Sequence, residues 1–188
     1  RDGYPVSDAG SVPGKGMLKQ VYGFRDALDG SRAQVDAGEL QQRGYAWDQI
    51  SDKQLLDVTV VKGELQTGGV SYRTLFFSEV DFIPYETFEV ALKLAEQGAT
   101  VVFRNSLPHD VAGLGGLAEK QQKFRTLVDG LAFETAGGAQ IARHGSGKIV
   151  VSERVDDLMT AAGIRRETMY DIGLECIRRK TDGGAYYF

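Results

Sequence analysis

The order of apolar and polar residues along the chain predicts short apolar strands that alternate with amphipathic helices. Residues 72–77 are rich in aromatic and β-branched side chains without polar alternation, which is typical of a parallel strand buried on both faces. A helical pattern follows over residues 84–97, with its apolar positions on one stripe and Gly98 as its cap. Residues 99–103 form a second continuous apolar run. Together these segments predict a strand–helix–strand unit.

The remaining patterns extend this unit to one α/β domain over residues 1–188. Residues 1–33 have no clean period and are expected to form an irregular lead-in, with turn chemistry at residues 4–8. The other predicted elements are helices over 33–43, from Ser51, over 117–131 and over 155–162, a short strand over 45–50, a hairpin over 58–65 closed near Gly68, strands over 140–144 and 148–152, and a C-terminal hairpin over 173–188. The predicted fold is therefore a doubly wound, mostly parallel sheet flanked by helices, with an antiparallel hairpin at its C-terminal edge.

Composition excludes several classes of protein. Hydrophobic residues make up 42% of the 188 positions, which is enough for a core, and no apolar run is long enough for a membrane span. The net charge of -4, without a long basic run, argues against nucleic acid as the main partner. The single cysteine, Cys176, excludes an internal disulfide and a cysteine-built metal site. We expect neither a metal ion nor a cofactor.

Two glycine-rich segments resemble nucleotide loops by their letters alone. Residues 113–118 match G-x-G-x-x-A, but a dinucleotide loop follows its strand immediately, and here a long loop intervenes. Residues 144–148 lack the first glycine and the Ser or Thr of a phosphate loop, and a strand follows where a helix is needed. Both segments are interpreted as turns, and the excess of glycine is attributed to turns and helix ends.

Nucleophilic catalysis has two candidates in the sequence, and neither has the expected surroundings. Ser78 follows the strand at 72–77 but lacks the flanking glycines of a nucleophile elbow. Cys176 lies in an alternating strand pattern with no histidine near it in sequence. His109 and His144 have no partner at the spacing of a zinc site and are interpreted as surface residues.

Carboxylates near an aromatic residue leave glycoside chemistry open. Glu79 and Asp81 follow the strand at 72–77, while Asp48 and Asp52 flank Trp47, whose ring could stack on a sugar. A glycosidase needs two carboxyl groups about 5–9.5 Å apart. The alternative roles are structural: Asp52 as a first-turn helix residue, Glu79 and Asp81 as loop charges, and Trp47 as part of the core.

A series of segments, in order, resembles a domain of large bacterial glycoside hydrolases of family 106, the α-L-rhamnosidase type. Residues 44–55 fit the pattern GY-x-(F/W)-D-x-I-S-D-x-Q-L of that domain, although Gln49 stands where an aromatic residue is usual. The likeness continues through SYRTL at 71–75, PYETF at 84–88, QGATVVF at 97–103, LPHDVAGL at 107–114, IRRKTD at 177–182 and YYF at 186–188. Residues 1–40 match poorly.

The resemblance implies a domain akin to class I glutamine amidotransferases, of flavodoxin-like topology, downstream of a catalytic (β/α)8 barrel. Amidotransferase chemistry itself needs a cysteine at a strand-to-helix elbow with a histidine partner, which this sequence lacks. The implied role is an accessory, non-catalytic domain of a periplasmic or extracellular enzyme that cleaves plant-type polysaccharides. Its partners would be the barrel, other domains of the parent chain and carbohydrate. The residues expected at the substrate rim are Asp8, Trp47, Asp48, Asp52, Glu79 and Asp81.

Two other functions remain open at this point. The chain could be an interaction module that forms homo-oligomers through the sheet edge at 174–188, or a small-molecule binder at the carboxyl ends of the strands. Because it begins at Arg1 without a methionine and ends within an apolar run, we expect it to be part of a larger multidomain enzyme.

Overall fold

A computed structural model describes residues 3–6, 17–20, 30–174, 176, 178–181 and 183–187. The helices are α1 (Arg32–Gln42), α2 (Asp52–Leu55), α3 (Tyr85–Glu96), α4 (Leu117–Asp129) and α5 (Val155–Ala162), and a 3-10 helix spans Thr168–Ile172. The strands are β1 (Gly3–Val6), β2 (Met17–Gln20), β3 (Thr59–Val61), β4 (Glu64–Thr67), β5 (Val70–Tyr72), β6 (Thr74–Phe77), β7 (Phe82–Pro84), β8 (Thr100–Arg104), β9 (Asp110–Ala112), β10 (Phe133–Ala136), β11 (Ala139–His144), β12 (Gly147–Ser152), β13 (Arg178–Thr181) and β14 (Gly184–Tyr187).

The main sheet has five strands in the order β10–β11–β12–β8–β6. Strands β6, β8 and β12 are parallel, whereas β10 and β11 add to β12 as antiparallel neighbours. The α/β class is confirmed, but the sheet is mixed and not mostly parallel. Short glycine-containing turns at 137–138 and 145–146 link β10, β11 and β12, and such turns can join only antiparallel strands.

Helices cover both faces of this sheet, because successive residues of a strand point to opposite sides. Val101 and Phe103 of β8 pack in one buried cluster together with residues of α3 and α4. Val102 lies between them in sequence and packs in a second cluster, which includes Leu40 of α1 and Leu158 of α5. Burial on both faces explains why β8 reads as a continuous apolar run.

Helix α3 packs its apolar residues into the core. The helix predicted over residues 84–97 is confirmed. Its apolar stripe, from Phe88 to Ala95, is almost completely shielded from solvent. Phe103 of β8 stacks on Phe77 of β6 with ring centroids 4.8 Å apart, and Phe88 contacts Phe124 of α4 at the same distance. This row of rings joins the sheet to both helices and is worth more than its buried area alone.

The carboxyl end of α3 makes an unusually close approach to the turn between β11 and β12. Ser146 N donates to Glu96 O at 3.0 Å, and Lys148 N donates to Ala99 O at 3.2 Å. A Cβ atom on Gly147 would overlap the carbonyl oxygens of Ala95 and Ala99. The glycine at 147 is therefore required by backbone packing, which is the physical reason that residues 144–148 resemble a phosphate loop by letters only.

The predicted strand over residues 45–50 is wrong, and these residues form irregular structure. The cause is the backbone at Gly44, which has φ +81 and accepts a hydrogen bond from Glu167 N at 2.8 Å. A Cβ at Gly44 would overlap the Glu167 carbonyl oxygen. This close contact fixes the backbone directly after α1 against the residue that precedes the 3-10 helix.

The apolar run at 72–77 is two strands and not one central strand. Strand structure is interrupted at Arg73. Before it, β5 completes the antiparallel meander β3–β4–β5, and after it, β6 forms one edge of the main sheet. Leu75 is the one fully buried residue of β6. The hairpin predicted over 58–65 is confirmed as β3 and β4, with the turn Lys62–Gly63 between them and the turn at Gly68–Gly69 leading into β5.

Other differences concern short strands. The parallel pair β7–β9 lies where a helix start and a turn-rich loop were predicted, and residues 4–6, predicted as a turn, lie in β1. A hairpin forms near the C-terminus as predicted, but it starts at Arg178 and pairs with no other described strand, so it is not an edge of the main sheet. Among the residues that the structure describes, no helix is long and apolar enough to cross a membrane.

Candidate functional site

Polar side chains lie together at the carboxyl ends of the parallel strands, where α/β proteins commonly bind ligands. We call this end of the sheet the carboxyl edge. Glu79 follows β6, Arg104 is the last residue of β8, and Ser152 is the last residue of β12. Asn105 adopts a left-handed backbone, with φ 64, and donates from its N–H to Ser152 O at 2.9 Å. This contact ties the loop after β8 to the end of β12.

Arg104 is the centre of this edge and is mostly buried, with 17% of its side chain exposed. Its Nη2 lies 3.1 Å from Glu39 Oε2, and its Nε lies 3.8 Å from Asp36 Oδ1. Helix α1 supplies both carboxylates because residues three apart lie on the same helix face. The Asp36 side chain is only 9% exposed, so this ion pair is shielded from solvent.

The charges continue from Glu39 as an alternating chain. Glu39 Oε1 accepts from Arg43 Nε at 3.0 Å, and Arg43 Nη1 in turn donates to Asp156 in the first turn of α5. Asp156 also lies at the end of the helix where the macrodipole favours a negative charge. These contacts connect α1, β8 and α5, and we call Asp36, Glu39, Arg43, Arg104 and Asp156 the charge chain.

Three buried polar atoms at this edge have no hydrogen-bond partner: Asp36 Oδ2, Glu79 Oε2 and Arg104 Nη1. Glu79 Oε2 nevertheless lies 3.1 Å from Arg32 Nη1 at the start of α1, which neutralises its charge without an aligned hydrogen bond. Each carboxylate of the edge thus has an arginine beside it. Ion pairs with arginine side chains hold these three carboxylates in place.

The segment around Trp47 is held by two hydrogen bonds from the rest of the domain. Asp48 Oδ2 accepts from Tyr72 Oη of β5 at 2.7 Å, and Asp52 Oδ1 accepts from Thr87 Oγ1 of α3 at 3.0 Å. Ser51 is the N-cap of α2, as predicted, and it also forms a full capping box with Gln54. Trp47 is 36% exposed, so it is not a core residue, and its ring is available at the surface.

Asp81 has a structural contact through its backbone and an exposed carboxylate. Its carbonyl oxygen accepts from His109 N at 2.9 Å and from Asp110 N at 3.2 Å, which joins the loop after β6 to the start of β9. Its carboxylate is 73% exposed and lies 3.9 Å from His109 Nε2. Glu79 and Asp81 therefore have different partners, Arg32 and His109. Asp8 lies outside the described residues.

The candidate nucleophiles have no catalytic surroundings among the described residues. Cys176 is half-buried, and its backbone carbonyl accepts from Tyr170 Oη at 3.0 Å. Ser78 is half-buried in the loop after β6. Within the described part of the chain, no group of three or more His, Cys, Asp or Glu residues could hold a metal ion.

The charge chain was not predicted from the sequence. Asp36 and Glu39 stand three apart on a predicted helix, and Arg104 ends an apolar strand, which is a weak local signal. Glu39 and Arg104 are 65 positions apart, so only the packed fold shows that they meet.

The Tyr72–Asp48 bond gives a testable pH dependence, because it raises the pKa of Tyr72 above its ordinary value, with burial as the second cause. The bond is complete below about pH 10 and is lost as the pH rises through the raised pKa. Trp47 is the only tryptophan, so its fluorescence reports on this segment. We expect an alkaline emission change with a midpoint above about pH 10. Asp48→Asn should lower the midpoint, and an unchanged transition in Tyr72→Phe would contradict the assignment.

Comparison with known proteins identifies no family for this chain. No protein-family model matches this chain, and no curated protein matches it significantly.

Proposed function

We propose that this chain is an accessory, non-catalytic domain of a secreted glycoside hydrolase of α-L-rhamnosidase type. The supporting observation is that the carboxylates around the carboxyl ends of the strands are held in ion pairs: Glu79 after β6 with Arg32, and both Asp36 and Glu39 of α1 with Arg104. An acid–base pair for glycoside hydrolysis needs one carboxyl group kept protonated and free to donate. Carboxylates held in ion pairs with arginine side chains are not free to reach a glycosidic oxygen.

The ordered resemblance to family 106 enzymes and the arrangement of the sheet support the same proposal. Strands β6, β8 and β12 are parallel neighbours with helices on both faces, which is compatible with an amidotransferase-like, flavodoxin-like core. In this proposal the antiparallel strands β10 and β11 are an addition at one edge. The catalytic carboxylates would belong to a barrel elsewhere in the parent chain.

Exposed apolar side chains give the domain surfaces for contact with other parts of such a parent. Phe82 of β7 is 63% exposed and Leu114 after β9 is 92% exposed. A single large apolar side chain at the surface is common and needs no explanation. An exposed aromatic ring near the end of a sheet, however, can pack against a neighbouring domain or against a sugar ring. Asp81, whose side chain is 73% exposed, and the exposed ring of Trp47 would contact carbohydrate.

The test is an assay of residues 1–188 with an aryl α-L-rhamnoside. We expect no turnover above the buffer rate, because Glu79, Asp36 and Glu39 are held in ion pairs with arginine side chains. Turnover that is lost in Glu79→Gln but kept in Glu64→Gln, a matched change at an exposed glutamate paired with Arg73, would overturn the proposal. Circular dichroism of each variant separates loss of activity from loss of fold.

The reading frame upstream of the codon for Arg1 provides an independent test. The proposal requires it to encode a barrel-length segment with paired carboxylates and, before that, a signal peptide. A reading frame that starts at or immediately before Arg1 would overturn the proposal, whatever the outcome of the assay.

A further inference from the structure

A cavity of about 430 Å³, open to solvent and lined mostly by exposed residues, lies on the α5 side of the antiparallel part of the sheet. Its lining residues are Ala132, Glu134, Ala136, Ile141, Arg143 and Lys148. Strand register explains why they share one face: Arg143 lies opposite Lys148, and Ile141 lies opposite both Glu134 and Val150. Val150 belongs to the cluster that packs against α5, which identifies the face.

Two positive charges face each other directly across the strands in this cavity. Like charges at opposed positions of antiparallel strands destabilise the sheet. Neither Arg143 nor Lys148 makes an ion pair with a described residue, although the protein as a whole has a net charge of -4. Lys148 Nζ donates to Ala161 O in the last turn of α5, which holds the ammonium in place and leaves its other N–H groups for a ligand.

The rest of the cavity is suited to a hydroxylated ring. Ala132, Ala136 and Ile141 form an apolar floor that can contact C–H groups, and Glu134 supplies a carboxylate that can accept from hydroxyl groups. The volume lies within the range of small-molecule sites, about 300–1,000 Å³, and exceeds the needs of a bare anion.

We propose that this cavity binds a sugar acid, that is, a monosaccharide unit with a carboxylate. The carboxylate contacts Arg143 and Lys148, where charge-assisted hydrogen bonds are the strongest available. The hydroxyl groups reach Glu134, and the ring lies over Ile141. That the ligand is a sugar rests on the proposed function, whereas its negative charge is inferred from the pair Arg143 and Lys148.

The experiment titrates the chain, labelled with ¹⁵N, with D-glucuronate, D-glucose and inorganic phosphate in separate arms. Glucuronate and glucose differ only in the group at C6, so the pair isolates the carboxylate. We expect glucuronate to shift the amide signals of residues 141–148 in a saturable way, with a Kd of about 1–10 mM, and glucose to shift them little. Phosphate should bind more weakly than glucuronate because it reaches neither Ile141 nor Glu134.

Two variants and one control test the residues. Arg143→Gln should weaken glucuronate binding about tenfold, which corresponds to about 1.4 kcal/mol. Arg143→Glu should abolish binding and still fold, because it places an opposite charge across from Lys148. Arg125→Gln, at an exposed position of α4 and outside the cavity lining, should leave the Kd unchanged.

The outcomes separate this proposal from the proposed function. Absence of saturable binding, equal binding of glucose, or binding unaffected by Arg143→Glu would overturn the cavity assignment and leave the rhamnoside assay to judge the accessory role. Phosphate binding as tight as that of glucuronate would overturn the sugar acid as the ligand. Turnover of the aryl rhamnoside would overturn the accessory role without altering any of these binding results.

Discussion

Arg104→Met is expected to lower the free energy of unfolding by about 3 kcal/mol, near the lower end of what breaking a buried ion pair costs. The change removes the cation that lies beside both Asp36 and Glu39, and it leaves the Asp36 carboxylate in a site that is 9% exposed. A carboxylate left without its partner in such a site costs more than the pair itself contributes. Urea denaturation followed by circular dichroism measures the effect.

The matched control is Arg43→Met, at an exposed part of the same charge chain. Its side chain is 40% exposed, so solvent screens its pairs with Glu39 and Asp156, and we expect a loss of about 1 kcal/mol or less. The double variant Arg104→Met with Asp36→Asn should lose less than the sum of the two single changes, because no carboxylate is then left unpaired. Equal losses in Arg104→Met and Arg43→Met would contradict the central position of Arg104.

Gly147→Ala is expected to destabilise the domain by about 3 kcal/mol, at the upper end of the range for overpacking. The new methyl group would overlap the carbonyl oxygens of Ala95 and Ala99, and its Cβ would lie 2.8 Å from the carbonyl carbon of Gly98. These are backbone atoms at the end of α3, so no side chain can move aside. Relief requires the β11–β12 turn to separate from the helix end, with loss of the Ser146–Glu96 hydrogen bond.

Gly38→Ala makes the same chemical change where there is space. Gly38 lies inside α1, and a Cβ there would have no atom within 4 Å. Alanine is the better helix former, so this variant should gain about 0.5–1 kcal/mol. Thermal unfolding of both variants checks the pair, and a Gly147→Ala midpoint equal to that of the unchanged protein would show that the turn is not closely packed.

Prediction from the sequence was most accurate for the helices and strands whose formation depends on residues close together in the chain. The α3 helix has a full apolar stripe, Gly98 follows it, and residues 101–103 are all apolar, so α3 and β8 were predicted close to their true bounds. The β11–β12 hairpin was predicted for the same reason, since its glycine turn lies between two strand-forming runs. The helical patterns of α1, α4 and α5 are confirmed within one or two residues.

Strand neighbours could not be predicted, because pairing depends on contacts between distant segments. Residues 72–77 are apolar enough for one central strand, yet Arg73 divides them between two sheets and leaves β6 at an edge. Strands β7 and β9 have three residues each, which is too short for a periodic pattern to emerge. Strand β10 was not predicted because it is largely exposed and has no apolar run.

The candidate site shows the same division between local and distant signals. Asp52 was identified both as a rim candidate and as a first-turn residue, and the structure shows its bond to Thr87. Asp48, Glu79 and Asp81 are also engaged, but their partners Tyr72, Arg32 and His109 come from other segments. The charge chain and the cavity at Arg143 depend on sheet register and helix docking, which residue spacing alone does not encode.

The attachment of α1 has a consequence for folding during synthesis. This helix buries only Ala37 and Leu40 among its apolar residues, and its charged contacts reach Arg104 and Asp156, which are 65 and 113 positions later than Glu39 and Arg43. A nascent chain therefore makes α1 early but cannot dock it fully until α5 has left the ribosome. During that interval the α5-side face of the sheet is uncovered, and α1, the first of the described helices to be synthesised, completes its packing only once α5 is available.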